Sequence, residues 1–494
     1  MLKNIFLTII FSLLVSIKLI AGESLPILVD GRFGEWSQTA PAFSDPTGDG
    51  GTSPVDFKNL SLANDEDDLF LWIDIGGEII LNSEEEIKLF LDYDNDSETG
   101  LYRDGMGADV VWSFSERYAT IYTPEGVEFS RWFDLDLIRA PTVSSGEYEI
   151  SLSRYPGLAL NMSDPVRLFF SNDISGGDRL PDLGFVEYSF SSNPVPAWSH
   201  IPLEKKNDSD IRILTYNVLS DGLTERPQPF VRILQALNPD IINFQEIYDQ
   251  TPAQVRTYIS QILPLPEGEQ WHCSGNFDCK TVSRFPVLGQ WSLPTGNLAV
   301  LLDVQGYHDS NRLFIINAHP PCCSNDDGRQ EEVDAFMSFL RDAQNGTGSL
   351  NLPENTPIFI VGDMNFVGLR QQLETVLTGD IYDNSEYGAD FKPDWDATDL
   401  TDLISTHNSS RESYTWRSDG SSYVPGRLDF IFYSDSQVSV MKSFILKTEN
   451  MKAEDLLTYG LQVNDTSIAS DHLPHVCDFR LKKGDDFRTF WIFR

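Results

Sequence analysis

Short apolar runs broken by turn residues fill residues 25–190: Leu69 to Ile75, Ile87 to Tyr93, Asp109 to Phe114, Tyr148 to Leu152, Val166 to Phe170 and Phe185 to Phe190. Several alternate, as in Glu147-Tyr148-Glu149-Ile150-Ser151-Leu152, and none sustains a helical period. Alternation over so few residues gives strands with one buried face, so an all-β sandwich is expected here. From residue 210 the pattern changes. Apolar runs such as Ile211 to Tyr216, Ile241 to Gln245, Leu313 to Ile316 and Ile358 to Val361 alternate with amphipathic stretches. Phe230, Ile233, Leu234 and Leu237 share one helical face, as do Val333, Phe336, Met337 and Leu340. Strands separated by helices stack into layers, which predicts an α/β domain over residues 210–482. Ser, Asn, Pro and Lys replace the apolar runs in between and mark a linker at 191–209; residues 483–494 form a tail.

The first residues have a pattern of their own. Lys3 precedes the apolar stretch Ile5 to Ile20, interrupted by Lys18, which reads as an export signal over residues 1–22. The stretch is short for a bilayer, and no later run is long enough to span one, so a secreted or periplasmic chain without an integral membrane span is expected.

Composition narrows the picture. The chain has 494 residues, 41% of them hydrophobic, which suits two domains and excludes a largely disordered chain. Against 36 Lys+Arg stand 75 Asp+Glu, a net charge of −39. Such a polyanion has no general attraction for phosphate backbones or anionic lipid, so nucleic acid would have to be met at a local, metal-neutralised site. A monomer is expected. Five cysteines fit an oxidising compartment. Cys273 and Cys279 bracket a Gly/Asn/Asp loop that a disulfide would close; Cys322 and Cys323 are adjacent; Cys477, in an alternating run, reads as a buried thiol. Zinc beside His319 is disfavoured, because no further Cys or His stands at ligand spacing.

The chemistry gathers at strand ends in the second domain. Asn217, Glu246, Asn317 with His319, and Asp363 with Asn365 each follow an apolar run; Asp429 opens one, and Asp471-His472 precedes the last. Ligand sites in layered α/β folds collect at such ends. Carboxylates suit a hard divalent cation, the Asn amides can donate to water or phosphate, and paired His and Asp move protons.

Thr215-Tyr216-Asn217-Val218, Phe244-Gln245-Glu246, Ser283-Arg284-Phe285-Pro286, Asn317-Ala318-His319, Gly362-Asp363-Met364-Asn365, Arg427-Leu428-Asp429-Phe430 and Ser470-Asp471-His472 stand in the order of the endonuclease/exonuclease/phosphatase superfamily, which this region resembles. The superfamily includes DNase I-like nucleases, apurinic endonucleases, inositol polyphosphate phosphatases and neutral sphingomyelinases. The resemblance implies a four-layer α/β sandwich and hydrolysis of phosphoesters with Mg²⁺ or Mn²⁺. It implies Glu246 as principal metal ligand with Asn217 and Asp471 close by, and Asp363 and Asn365 orienting the attacking water and contacting phosphate. It also implies His472, oriented by Asp429, as base or phosphate stabiliser, and His319 assisting the phosphate or leaving oxygen. Arg329 and Gln330 read either as substrate contacts or as a helix-face ion pair, and His407 and His475 as structural.

In the first domain, Asp92, Asp94 and Asp96 alternate on a turn that is not an EF-hand loop, since Ser97 and Arg103 replace its Gly and Glu; they form a candidate structural Ca²⁺ site. With Asp30-Gly31-Arg32-Phe33-Gly34-Glu35-Trp36 and Asn64-Asp65-Glu66-Asp67-Asp68-Leu69-Phe70, this turn resembles the family 9-like carbohydrate-binding sandwich modules. Polysaccharide contact through Trp36, Trp72, Trp112 or Trp132 is implied, with core packing as the competing reading. The function expected is an extracellular nuclease. A sphingomyelinase-like or other small-molecule phosphodiesterase or phosphatase is the alternative, and a non-catalytic polysaccharide-binding protein stands behind both. No distinct exposed aromatic hairpin is evident for insertion into a membrane.

Overall fold

The computed structural model describes residues 17–21, 25–81, 85–157, 160–193, 195–196 and 198–482. Most of the expected export signal and the whole of the 483–494 tail lie outside the described residues. Ile17–Ala21, inside the expected signal, is a strand paired in parallel with Phe185–Ser189. Among the described residues no helix is long and apolar enough to cross a membrane.

The chain divides into two compact units, one of Met1–Ile27, Phe33–Ile138 and Ser145–Val195, the other of Leu28–Arg32, Arg139–Ser144 and Pro196–Arg494. The second unit resumes well inside the expected linker. Leu203 is fully buried there, and the Ile201 amide donates to Asn408 O at 2.8 Å. A polar, Pro-rich composition hid two apolar anchors.

The first unit is all-β. An eight-stranded sheet centres on Val166–Asn172 and Ile87–Asp92, and a five-stranded sheet on Asp68–Ile79 between Val55–Asn64 and Ser145–Ser153. Phe57 and Phe170, one from each sheet, have ring centroids 6.3 Å apart, and Tyr188 donates its hydroxyl to Asn64 Oδ1 at 2.9 Å. Trp36, Trp112 and Trp132 are buried, with the Trp36 indole N–H on Glu149 Oε1 at 2.9 Å. These three are core residues. Trp72 is half-buried and donates to Glu147 Oε2 at 3.1 Å.

The expected calcium turn is altered in one member. Asp92, Asp94 and Asp109 bring carboxylate oxygens within 4.8 Å of one another, and Asp96 is not of the group. The hairpin of Leu101–Arg103 and Met106–Ala108 folds back to deliver Asp109, whose Oδ2 accepts the Tyr93 and Asp94 amides at 2.8 and 3.2 Å. Asp96 instead turns its Oδ1 to the Glu98 amide at 2.9 Å. Linear spacing showed the alternation but not the strand brought beside it.

The second unit holds two six-stranded sheets. In the first, Ile211–Asn217 pairs in parallel with Ile241–Gln245 and antiparallel with His475–Leu481; in the second, Arg312–Ala318 pairs in parallel with Ile358–Asp363, and Asp429–Tyr433 runs antiparallel beside it. Strand alternation decides which face each residue serves. Ile213, Ile315, Phe359, Val361, Cys477 and Phe479 fill one core between the sheets. Leu214 and Tyr216 turn outward onto Phe230, Ile233, Leu234 and Leu237. Phe314 and Ile316 turn outward onto Val333, Phe336, Met337 and Leu340. Helix, sheet, sheet, helix is the four-layer order of the DNase I-like α/β fold. The two amphipathic stretches are helices Pro227–Leu237, started by a proline that fits its first turn, and Asp326–Asn345.

Cys322 and Cys323 are joined to each other, while Cys273, Cys279 and Cys477 are free. Cys273 and Cys279 lie on facing strands of one hairpin but out of register: Cys273 stands opposite Val282, and Cys279 opposite Asn276. The expected loop closure is therefore absent.

Candidate active site

Register brings the polar strand ends to one edge. Asn217 ends its strand level with Gln245, so Glu246 follows one step beyond it. Asp363 ends its own strand directly opposite Asp429. His319 follows Ala318, whose partner is Gly362. Gly362 has φ 144°, and a Cβ there would lie 1.9 Å from Ala318 O, so this close approach of two strands requires glycine. Glu246 and Asn365 both have left-handed backbones, at φ 61° and 50°, a strain often found where side chains are aimed at a task.

Asp363 Oδ2 is the hub. Asn217 Nδ2 donates to it at 2.9 Å and to Glu246 Oε1 at 2.9 Å, so one amide spaces the two carboxylates. His319 Nε2 and His472 Nε2 each lie 3.5 Å from the same oxygen. Behind each imidazole stands an aspartate on Nδ1: Asp429 Oδ2 at 2.8 Å from His472, and Asp278 Oδ2 at 2.5 Å from His319. With Nδ1 so held, both rings turn their Nε2 atoms toward Asp363 Oδ2. Asn365 packs against the His319 loop through Nδ2 on Pro320 O at 3.1 Å, and its amide donates to Asp363 Oδ1 at 3.2 Å. Glu246 Oε2 accepts the Ser220 amide at 2.8 Å. Asp471 Oδ2 accepts the Trp416 indole N–H at 3.0 Å.

Asp278, Asn297, Ser220 and Trp416 escaped the sequence reading. Asp278 lies in the loop read as a disulfide closure, and its contact with His319 crosses 41 residues. Asn297 accepts the His319 amide at 2.7 Å. A lone Asp or Asn in a loop gives no signal that would separate it from a solvated one. Conversely, Arg329 is fully buried and spent on contacts within the protein. It donates to the carbonyls of Pro321 and Cys323, each at 2.9 Å, and to Asp326 at 2.6 Å, tying the His319 loop to its helix. Gln330 bonds Asp334 and Thr375. His407 and His475 are buried structural residues, on Tyr414 O and Ser405 Oγ respectively, both at 2.8 Å.

Electrostatics follow from this packing. Burial opposes charge on His319, yet its bond to Asp278 and the nearby Asp363 and Glu246 carboxylates outweigh it and raise the ring to about 9. His472 is likewise raised, burial again being overcome by Asp429 and Asp363. Asp429 is itself pushed up by burial, against the pull of His472. Two imidazolium N–H groups facing one carboxylate oxygen suit the stabilisation of phosphate charge or the protonation of a leaving oxygen.

The donor set also fits a hard divalent cation. Glu246 is a half-buried carboxylate, and Asp471 Oδ1 is buried without a hydrogen-bond partner among the described residues. Mg²⁺ is held by one or two carboxylates with waters and substrate phosphate completing its shell, rather than by a protein cage. The three- and four-carboxylate clusters belong to the first unit.

The residue pattern of the Endonuclease/Exonuclease/phosphatase family matches residues 214–472. The chain belongs to this family. Solved structures to which the chain is similar include the human Nocturnin catalytic domain with bound sulfate anion, at 17% identity over 55% of this chain and 95% of that one, with a TM-score of 0.35. D. rerio TDP2 with a single-strand DNA product gives 18% identity over 55% and 100%, TM-score 0.34. ANGEL2, a 2′,3′-cyclic phosphatase, gives 17% over 56% and 97%, TM-score 0.37. No curated protein matches the chain. Family membership carries with it metal-dependent phosphoesterase chemistry in general; the substrate is a separate matter.

Proposed function

We propose that the chain is an extracellular, Mg²⁺- or Mn²⁺-dependent phosphodiesterase, and that it acts as a nuclease. The convergence of His319 and His472 on Asp363 Oδ2, with Asn217 joining that oxygen to Glu246, carries the reading. Glu246 and Asp471 would hold the cation, which supplies charge neutralisation of the phosphate and a more acidic bound water. Asp363 and Asn365 orient the attacking water. His472, held protonated by Asp429, stabilises the phosphate charge, Asp363 takes the water's proton, and His319 delivers one to the leaving oxygen. The first unit serves as a sandwich module with Ca²⁺ bound by Asp92, Asp94 and Asp109, and polysaccharide is its proposed partner.

One observation favours a lipid phosphodiester as second reading. Phe277 is 70% exposed at the tip of the hairpin that carries Asp278, and Tyr248 stacks edge-on against it at 5.6 Å. This aromatic pair was not evident in the sequence, and it sits beside two site residues. A substrate panel separates the readings: duplex and single-stranded DNA, RNA, sphingomyelin vesicles, inositol phosphates and a chromogenic bis-ester, each with and without chelator. DNA cleavage that is lost in EDTA and lowered by about 10²-fold or more in Glu246→Ala and His472→Ala supports the nuclease reading. Full activity in either variant removes its residue from the site, and turnover of sphingomyelin alone overturns the substrate.

A further inference from the structure

Four aspartates of the first unit meet away from the Asp92 turn. Asp45 follows the strand Phe43–Ser44, Asp49 lies in the Gly-rich loop after it, and Asp178 and Asp182 flank the strand Arg179–Leu180. One carboxylate oxygen from each lies within 4.8 Å of the others. Like charges this close repel, so the fold must hold them there. Asp178 is fixed by the Phe57 and Arg179 amides, both at 2.6 Å on its two oxygens. Asp56 shapes the Gly-rich loop, accepting the Gly48 amide at 2.9 Å and the Gly50 amide at 3.3 Å.

A second observation is independent of the clustering. Asp45 is only 9% exposed, and neither of its carboxylate oxygens is solvent-accessible or has a hydrogen-bond partner among the described residues. Burial, then the charges of Asp182, Asp178, Asp49 and Asp56, push it up to about 8. A proton would supply one O–H and still leave the other oxygen bare. The guanidinium of Arg179 does not fill the space: it donates to Pro181 O at 2.6 Å and Gly184 O at 2.5 Å and lies 4.0 Å over the Phe169 ring. A buried, unpartnered carboxylate facing three others is compensated by a cation.

We propose that Asp45, Asp49, Asp178 and Asp182 bind a structural divalent cation of the calcium class. All the donors are carboxylate oxygens, which excludes a preference for softer metals. They come from three chain segments and include two exposed side chains, an adaptable set of oxygens that suits Ca²⁺ better than the near-ideal octahedron Mg²⁺ demands. The ion cross-links the loop after Phe43–Ser44 to the loops around Arg179–Leu180, over 130 residues away in the chain.

Calorimetric titration of CaCl₂ into the EGTA-stripped full-length protein tests this, with melting midpoints measured in CaCl₂ and in EGTA. Asp49 and Asp182 are exposed, so the double variant Asp49→Asn/Asp182→Asn keeps the fold while removing two charges. Its affinity for one calcium should fall at least about tenfold, because affinity in such sites follows ligand charge. The calcium-induced rise in Tm should shrink as well, with phosphodiesterase activity at saturating Mg²⁺ unchanged. Asp45→Asn, nearly isosteric, should abolish the same binding step, whereas Asp94→Asn should leave it intact. Calcium isotherms of the double variant that coincide with those of the wild type, or calcium uptake altered by Asp94→Asn and not by Asp45→Asn, would overturn the assignment.

Discussion

Asp278 holds His319 by Nδ1 and contributes to its raised pKa, so its removal has a definite signature. In Asp278→Asn the ring loses a charged partner while keeping a hydrogen bond. Its pKa should move down from about 9, and activity should fall by about 10–100-fold, as for other groups that orient a working histidine. The expected outcome is a pH–rate profile whose alkaline limb shifts to lower pH, because the imidazolium is lost earlier; an unshifted limb would show that His319 is not the titrating acid. Residue by residue, Asn217, Glu246, His319, Asp363, Asn365, Asp429, Asp471 and His472 stand out in the sequence as candidates because each lies beside an apolar run. Asp278 and Trp416 are not, because their only distinguishing feature is the side chain they meet in space.

At the scale of elements, the strand His475–Leu481 joins the site to the core, and two of its residues give measurable consequences. His475 is buried, and burial, with Arg427 acting the same way, pushes its ring down from 6.5 to about 4. Between those values the unfolded chain binds a proton that the native chain refuses, so this contribution is complete above pH 6.5 and is lost as pH falls toward 4. Denaturant unfolding of His475→Gln should therefore depend less steeply on pH across that window than the wild type; equal slopes would contradict the buried neutral ring. Asp478 accepts both Nε and Nη2 of Arg212, at 2.6 and 2.8 Å, in the interior. Asp478→Ala leaves a buried guanidinium without its carboxylate, and chemical denaturation should show a loss of about 3–5 kcal/mol. The helices Pro227–Leu237 and Asp326–Asn345 were legible from their spacing. The end of the linker was not, since Ile201 and Leu203 are isolated apolar residues in a polar stretch and only their partners reveal them.

At the scale of the molecule, the charge of −39 bears on affinity rather than on chemistry. In the proposed reaction a local cation would neutralise the phosphate being cut, and a composition of 36 Lys+Arg against 75 Asp+Glu favours few counterion-releasing contacts. Cleavage of DNA should therefore fall only weakly between low and moderate salt, far less than the roughly 10³-fold or greater loss of a protein making many phosphate contacts. A steep loss in rates measured across NaCl concentrations would point to a basic surface that the composition does not suggest. Removal of divalent ions should act on both units at once: EDTA abolishes catalysis, whereas EGTA with excess Mg²⁺ lowers the melting temperature through the first unit and spares activity.

Hydrophobic periodicity alone determined the β-rich first part, the α/β second part and the placing of polar groups at strand ends, because alternation and helical spacing are local properties of the chain. Tertiary structure decided which distant groups complete each site. Asp109 replaced Asp96 beside Asp92 because a hairpin folds back on the turn. Cys273 and Cys279 stayed apart because strand register set them against other residues. Asp278 reached His319, and Asp45 met Asp178, across sequence separations that no local pattern encodes. Carboxylate chemistry depends on distances of a few ångströms, and those are set by packing and register rather than by order along the chain.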